Sequence, residues 1–284
     1  MLVALGSMWG ATYSISKLGI LEGVPPLAYG FWQCLGAAVL LAAAVPLRRL
    51  AGGLGGWRAL AFGAAAGQLG IFLPNVVFYY AVQHIPAGLM TVVVTVSVPC
   101  TYGFSLLLGL EAFQARRIAG LALGFVGVMI LVGGGVALPA PGAYAWLLLS
   151  FLTPAFYAAN AVFSGRFRPE GLSSHLLAIV MLASAATSQG VLMAALGQVW
   201  LPGEASLAAN LSLASQIAVS AIAYVLYFET IRRAGPVFFS QVGYLIVATG
   251  LIWGYVFFGE TFGPWLYVAA ALILGGVALV NRRV

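Results

Sequence analysis

Ten apolar runs fill this sequence, and nearly every charge falls in the breaks between them. The runs cover 2–20, 26–47, 58–82, 87–108, 116–136, 143–164, 173–196, 211–231, 237–258 and 263–281. Crossing ~30 Å of hydrocarbon takes about 20 apolar residues in a helix, so each run predicts one membrane-spanning helix. Gly, Pro and charge mark the breaks, as at Glu22–Pro26, Gln83–Pro86, Glu111–Arg117 and Arg232–Pro236. None of the breaks is long enough to hold a soluble domain. Composition agrees: 63% of the residues are hydrophobic, 6% are charged, and there is no Asp. A soluble globule has about a quarter of its residues charged. The predicted fold class is therefore an all-α integral membrane protein of ten transmembrane helices. The first run is expected to be a retained helix, since no basic leader precedes it and further runs follow.

The positions of the basic residues set the orientation. With the amino terminus in the cytoplasm and ten alternating helices, Arg48, Arg49, Arg58, Arg116, Arg117, Arg166, Arg168, Arg232, Arg233, Arg282 and Arg283 fall inside. Lys17 alone falls outside. Eleven of the 12 basic residues thus share one side, the bias that marks cytoplasmic loops. Both termini are predicted to be cytoplasmic. The net charge of +6 then reports topology, and no nucleic-acid partner is expected.

The chain also repeats itself. A shift of 149 residues carries Asn75 onto Tyr224, Tyr79 onto Phe228, Thr95 onto Tyr244 and Glu111 onto Glu260. The register extends back to Lys17 over Arg166 and forward to Gly127 over Gly276. Such self-similarity implies a duplicated unit, here residues 1–138 and 142–284, joined at Leu138–Gly142. Five helices per copy is an odd number, so the second copy is predicted to be inverted. Inverted repeats place a substrate site near the midplane and allow alternating access.

Trp9-Gly10 followed by Lys17, Gly109-Leu110-Glu111, and Gly259-Glu260 resemble signatures of the ten-helix, EamA-type members of the drug/metabolite transporter superfamily. The likeness covers essentially the whole chain. It implies a cavity surrounded by helices 1–4 and 6–9, with helices 5 and 10 peripheral. The aromatic residues expected at that cavity are similar to those of the family's aromatic amino-acid exporter branch. One departure is that Ala158-Ala159-Asn160 stands where the first copy has Trp9-Gly10-Ala11.

Helical spacing nominates the residues of a site. In the fourth run Thr91, Thr95, Val98 and Tyr102 follow i, i+4, i+7, i+11 on one stripe. The ninth run offers Ser240, Tyr244 and Val247, with Gln241 beside them. Asn75 and Tyr79 end the third run; Tyr224 and Tyr227 end the eighth; Tyr157 and Asn160 lie in the sixth; Trp9 and Tyr13 lie in the first. Tyrosines in mid-span are poorly placed for an interfacial belt, whereas Trp57, Trp146, Trp200, Trp265 and Tyr267 at run ends suit one. Thr91, Thr95, Ser240 and Tyr102 fit a cavity or a packing role equally. Asn75 and Asn160 need partners in lipid, either a ligand or a neighbouring helix.

The candidate substrate-binding set is thus Trp9, Tyr13, Asn75, Tyr79, Thr95, Tyr102, Tyr157, Asn160, Tyr224, Tyr227, Gln241 and Tyr244. Glu229 can reach Arg232 or Arg233 along its own helix. No carboxylate falls in mid-membrane, and His84 and His175 are too far apart in the topology for a metal pair. No enzyme nucleophile, cofactor or metal site is expected. Cys34 and Cys100 lie in apolar runs as buried thiols. The GxxxG pairs Gly6/Gly10, Gly63/Gly67 and Gly120/Gly124 fit a dimer contact or packing within one chain, and a monomer is the expectation. The function expected is export of small metabolites, aromatic or other neutral amino acids first. Cationic aromatic toxins are the alternative cargo, and an integral membrane enzyme or channel the alternative class.

Overall fold

The computed structural model describes residues 1–46, 56–110, 112–130, 142–239 and 242–281. Among the described residues it is all-helical and forms ten rods. These are α1 (Leu2–Leu21), α2 (Pro26–Ala43), α3 (Trp57–Ala81), α4 (Ala87–Leu107), α5 (Ala115–Ile130), α6 (Ala143–Phe167), α7 (Ser174–Ala195), α8 (Leu207–Phe239), α9 (Val242–Phe258) and α10 (Pro264–Asn281). Six of them, α2, α3, α4, α6, α7 and α8, contain stretches long and apolar enough to cross a membrane. The α9 and α10 rods hold shorter apolar helices, Leu245–Phe258 and Pro264–Gly276.

Burial follows the logic of a protein in lipid. Large apolar side chains such as Val39, Phe125, Val191, Ile222 and Ile252 stand exposed, while Ser14, Gln33, Asn75, Asn160, Gln189 and Gln216 are buried. With hydrocarbon as solvent, apolar side chains face outward and polar ones turn into the bundle.

Three prolines explain the interruptions in the rods. Pro74 cannot donate to the Gly70 carbonyl, and a π turn at Gln68–Phe72 precedes it, closed by Leu73 N–H to the Gln68 carbonyl. Pro99 leaves the Thr95 carbonyl to Val98 N–H at 3.1 Å, and α4 divides into Ala87–Val94 and Ser97–Leu107. Upstream of Pro154, α6 divides at Phe151, whose N–H turns back to Leu148 at 3.2 Å. A proline inside a helix removes one ladder bond and crowds the preceding turn, and here the break always falls just before it.

Side-chain contacts show that successive rods alternate in direction. At one end of the bundle Lys17 meets Glu260 and the start of α4, and His84 stacks on Trp146 at 4.6 Å. Glu22 accepts from Ser206 at 2.7 Å, and Gln198 donates to Tyr80 at 2.7 Å. At the other end Phe62 stacks on Phe163 at 5.3 Å, and Arg168 donates to the Phe228 carbonyl at 2.9 Å. Ser174 there donates to Glu229 at 3.0 Å. The sixth rod consequently runs opposite to the first.

Each glycine pair seats a helix of its own chain. Gly6 and Gly10 lie against Leu245, Thr249 and Gly250 of α9; Gly63 and Gly67 lie against Val180, Met181 and Ser184 of α7. Gly276 of α10 abuts the backbone of Gly120 and Gly124 in α5, while Gly127 meets Ala269 and Ile273. Small residues permit these close crossings.

One predicted boundary differs. The break expected at Arg232–Pro236 is absent, and α8 continues as helix to Phe239. In this turn Glu229 pairs at 2.5 Å with Arg232 at i+3 and Arg233 at i+4. Such pairs support a helix by about 0.2–0.5 kcal/mol each, and the rod continues through the position of Pro236. Trp200 also departs from expectation: it is buried, with its carbonyl accepting from Trp32 Nε1 at 2.8 Å.

Candidate functional site

A cavity of ≈ 120 Å³ lies at mid-height between α1, α2, α3, α4, α6, α8 and α9. That is close to the ~150 Å³ at which a protein cavity takes up one benzene ring. Among the described residues, α5, α7 and α10 contribute no lining residue. The α7 rod, expected at the wall, packs instead behind α2 and α3.

One wall is aromatic. Trp9 of α1 stands 5.7 Å from Phe239 and 6.2 Å from each of Tyr224 and Tyr227, ring centre to ring centre. The α8 residues Gln216, Ser220, Tyr224 and Tyr227 all line the cavity, at i, i+4, i+8 and i+11 on a single face. Tyr13 packs edge-on against Phe78 at 4.9 Å.

The opposite wall is an amide network. Gln33 of α2 accepts from the Tyr79 hydroxyl and, at 3.3 Å, from Asn75 Nδ2. Its own Nε2 donates to Ser220 Oγ at 2.7 Å, so one buried glutamine ties α2, α3 and α8 together. Across the cavity Asn160 donates to the Tyr227 hydroxyl at 3.0 Å and accepts from Ser164. Such a network is stable in a low-dielectric interior only when its members find partners. Among the described lining residues there is no Asp, Glu, Lys, Arg or His.

Of the residues nominated from sequence, Trp9, Tyr13, Asn75, Tyr79, Tyr157, Asn160, Tyr224 and Tyr227 line this cavity. Thr95 and Tyr102 do not. The Thr95 hydroxyl donates to the Val92 carbonyl at 2.6 Å inside the break of α4. Tyr102 donates to the Ala112 carbonyl at 3.0 Å and accepts from Gln114 N–H at 3.1 Å. With Arg117 at 4.8 Å over its ring, it holds the α4–α5 connection. Gln241 and the Tyr244 side chain lie outside the described residues. Sequence reasoning passed over Gln33, Gln216, Ser220, Thr12, Ser97 and Thr101, all of which line the cavity. Gln33 carried a signal, as a lone amide inside an apolar run is costly unless paired. So did Gln216 and Ser220, which extend the face of Tyr224 and Tyr227 by two turns.

One end of the bundle is closed by a charge cluster. Lys17 Nζ donates to Glu260 Oε1 at 2.8 Å, and both side chains are largely buried. Glu260 Oε1 also accepts from Ala87 N–H at 2.8 Å, and Oε2 accepts from Gly88 N–H at 3.0 Å. A carboxylate at the positive end of a helix satisfies two donors that the helix leaves open. Gly254 leaves room for it, since a Cβ there would meet Glu260 Oε2. Its repeat equivalent, Glu111, lies outside the described residues.

A helical bundle with an apolar exterior, buried polar residues and a central uncharged cavity has the build of a membrane carrier. The chain belongs to the EamA-like transporter family, whose model matches residues 1–133 and 144–282. It is 30% identical over 289 residues to the uncharacterized inner membrane transporter YedA of Escherichia coli strain K12, covering 99% of this chain and 89% of that protein. Protein PecM of Dickeya dadantii is 25% identical over 97% of this chain and 91% of its own length. A solved crystal structure, 20% identical, superposes with a TM-score of 0.63 over 99% of this chain and 98% of its own. At that identity the likeness concerns the fold alone.

Proposed function

We propose that the chain resides in an inner (plasma) membrane and exports aromatic and other neutral amino acids. The proposed mechanism is alternating access between two inverted five-helix halves, residues 1–138 and 142–284. The observation that carries the substrate class is the cavity's chemistry: rings on one wall, amides and hydroxyls on the other, and no charged lining side chain among the described residues. Rings stack on a flat cargo, while amides and hydroxyls bond an amine and a carboxylate without fixed charge. A strongly anionic cargo would require Lys or Arg at the same depth.

Several observations support the inverted halves. The 149-residue register, the opposed directions of α1 and α6, and the two family-matched stretches either side of Leu138–Gly142 all favour them. Cytoplasmic termini rest on the segregation of the arginines, and the inner membrane on the name borne by YedA. A monomer is favoured because all three glycine pairs are taken up within the chain. With no carboxylate or histidine described at the cavity, the carrier moves its cargo down the cargo's own gradient. The second reading, export of cationic aromatic toxins, is favoured by the ring of Trp9, which suits a cation at its face.

Ligands of the native state raise its stability. In a thermal-shift series on the purified chain, phenylalanine, tyrosine and tryptophan should raise the midpoint in a saturable manner, while sugar phosphates should not. A response confined to quaternary aromatic cations would replace the amino-acid reading with the toxin reading.

A further inference from the structure

Five tyrosines line the cavity: Tyr13, Tyr79, Tyr157, Tyr224 and Tyr227. Two of their hydroxyls are engaged by amides, since Tyr79 donates to Gln33 and Tyr227 accepts from Asn160. The other three belong to separate helices, α1, α6 and α8. The Tyr13 and Tyr157 hydroxyls face each other, and Tyr224 lies beside them. Helical spacing accounts for the grouping. Tyr13 follows Trp9 at i+4 on one face of α1, and Trp9 stands 6.2 Å from Tyr224. Among the described residues the Tyr224 hydroxyl has no hydrogen bond, and it is not sealed within the packing as Ser14 Oγ and Gln216 Oε1 are. Its open side is the cavity.

Two hydroxyls that face each other use one O–H between them and leave the other free. With Tyr224, two O–H groups then converge on one region of a cavity whose described lining residues carry no charge. An ammonium offers donors only and leaves both O–H groups unmatched, whereas an ionised carboxylate offers acceptors only and takes both. Hydrogen bonds to a carboxylate are charge-assisted, and about twice as strong as those between neutral groups. A phenol suits this work, because its ring withdraws the oxygen lone pair and makes the O–H a better donor than acceptor.

We infer that Tyr13, Tyr157 and Tyr224 form a carboxylate subsite, and that the cavity selects ring-bearing molecules with a free carboxylate. This rests on the reading of the cavity as the cargo site, and it names the group of the cargo that the site recognises. Analogues in which an alcohol or an amine replaces the carboxylate leave the hydroxyls without a charged acceptor. A site built to hydrogen-bond one group rejects the analogue lacking it more strongly than an apolar pocket rejects a change of size.

The test sets two probe pairs against the purified full-length chain, with affinity read from ligand-dependent thermal shift. Phenylalanine is compared with phenylalaninol, and 3-phenylpropionate with phenethylamine. The wild type should bind the carboxylate member of each pair at least about tenfold more tightly. Tyr13→Phe, Tyr157→Phe and Tyr224→Phe keep the rings and remove one hydroxyl each. Tyr224→Phe should weaken both carboxylate probes by about tenfold and leave phenylalaninol and phenethylamine unchanged, and the other two variants should act in the same direction. Without ligand, Tyr224→Phe should melt no lower than wild type, as its hydroxyl has no bond to lose; a lower midpoint would overturn the premise. Equal binding within both pairs, or discrimination that survives in all three variants, would overturn the inference and leave the cavity as the cargo site. Tighter binding of phenethylamine than of 3-phenylpropionate would overturn it in favour of a cationic cargo. Binding of none of the four probes would overturn both readings.

Discussion

Tyr79 and Tyr102 look alike in the sequence, as tyrosines inside apolar runs, yet they do different work. The Tyr79 hydroxyl donates to Gln33 at the cavity wall, whereas Tyr102 bonds the backbone at Ala112 and Gln114. Removing each hydroxyl separates the roles. Tyr79→Phe should weaken binding of an aromatic amino acid by roughly fivefold or more, since it frees one lone pair of Gln33 and disturbs the wall. Tyr102→Phe should lower the melting midpoint, by a loss of about 1 kcal/mol, and leave ligand affinity unchanged. Isothermal binding and thermal unfolding of the two variants check this. Equal loss of affinity in both would mean that the aromatic pattern reports stability. The stripe Thr91–Thr95–Val98–Tyr102 misled because it assumed one continuous helix. Pro99 breaks α4 at Thr95 and Val96, so residues beyond the break no longer keep the face that 3.6 residues per turn assigns them. Gln33 and Gln216 were passed over for a different reason. A glutamine within an apolar run carries no ring, and its amide's partners come from other helices that spacing within one run does not reveal.

Among the elements, the ten rods were legible because lipid imposes the same length and apolarity on each. Their ends were legible where Gly, Pro or charge marks them, and less so at Arg232–Pro236, where α8 stays helical to Phe239 and Glu229 pairs with Arg232 and Arg233 along its own turn. The two carboxylates in such ion pairs should respond differently to neutralisation. Glu260 is largely buried, pairs with Lys17 and caps α4, so Glu260→Gln should cost about 1–2 kcal/mol and lower the melting midpoint by a few degrees. Glu229 pairs with two exposed arginines, and Glu229→Gln should cost under about 1 kcal/mol. Differential scanning of both variants in one detergent checks the order. A larger loss from Glu229→Gln would mean that the α8 extension, and not the Lys17 cluster, secures the bundle.

For the whole molecule, orientation is argued from charge and transport from the cavity. Single cysteines at Gly142 and Ala205, in a background lacking Cys34 and Cys100, should react with an impermeant thiol reagent on intact cells, and one at Gly171 should not. The reverse pattern would invert the topology. Carrier action is tested most directly by counterflow. Proteoliposomes loaded with unlabelled phenylalanine should take up labelled phenylalanine transiently above its external concentration, with saturation, and should do so with a protonophore present and no pH gradient. An imposed pH gradient without internal phenylalanine should drive no uphill accumulation. Uptake that neither saturates nor depends on internal cargo would contradict a carrier, and accumulation driven by the pH gradient alone would contradict transport down the cargo's own gradient.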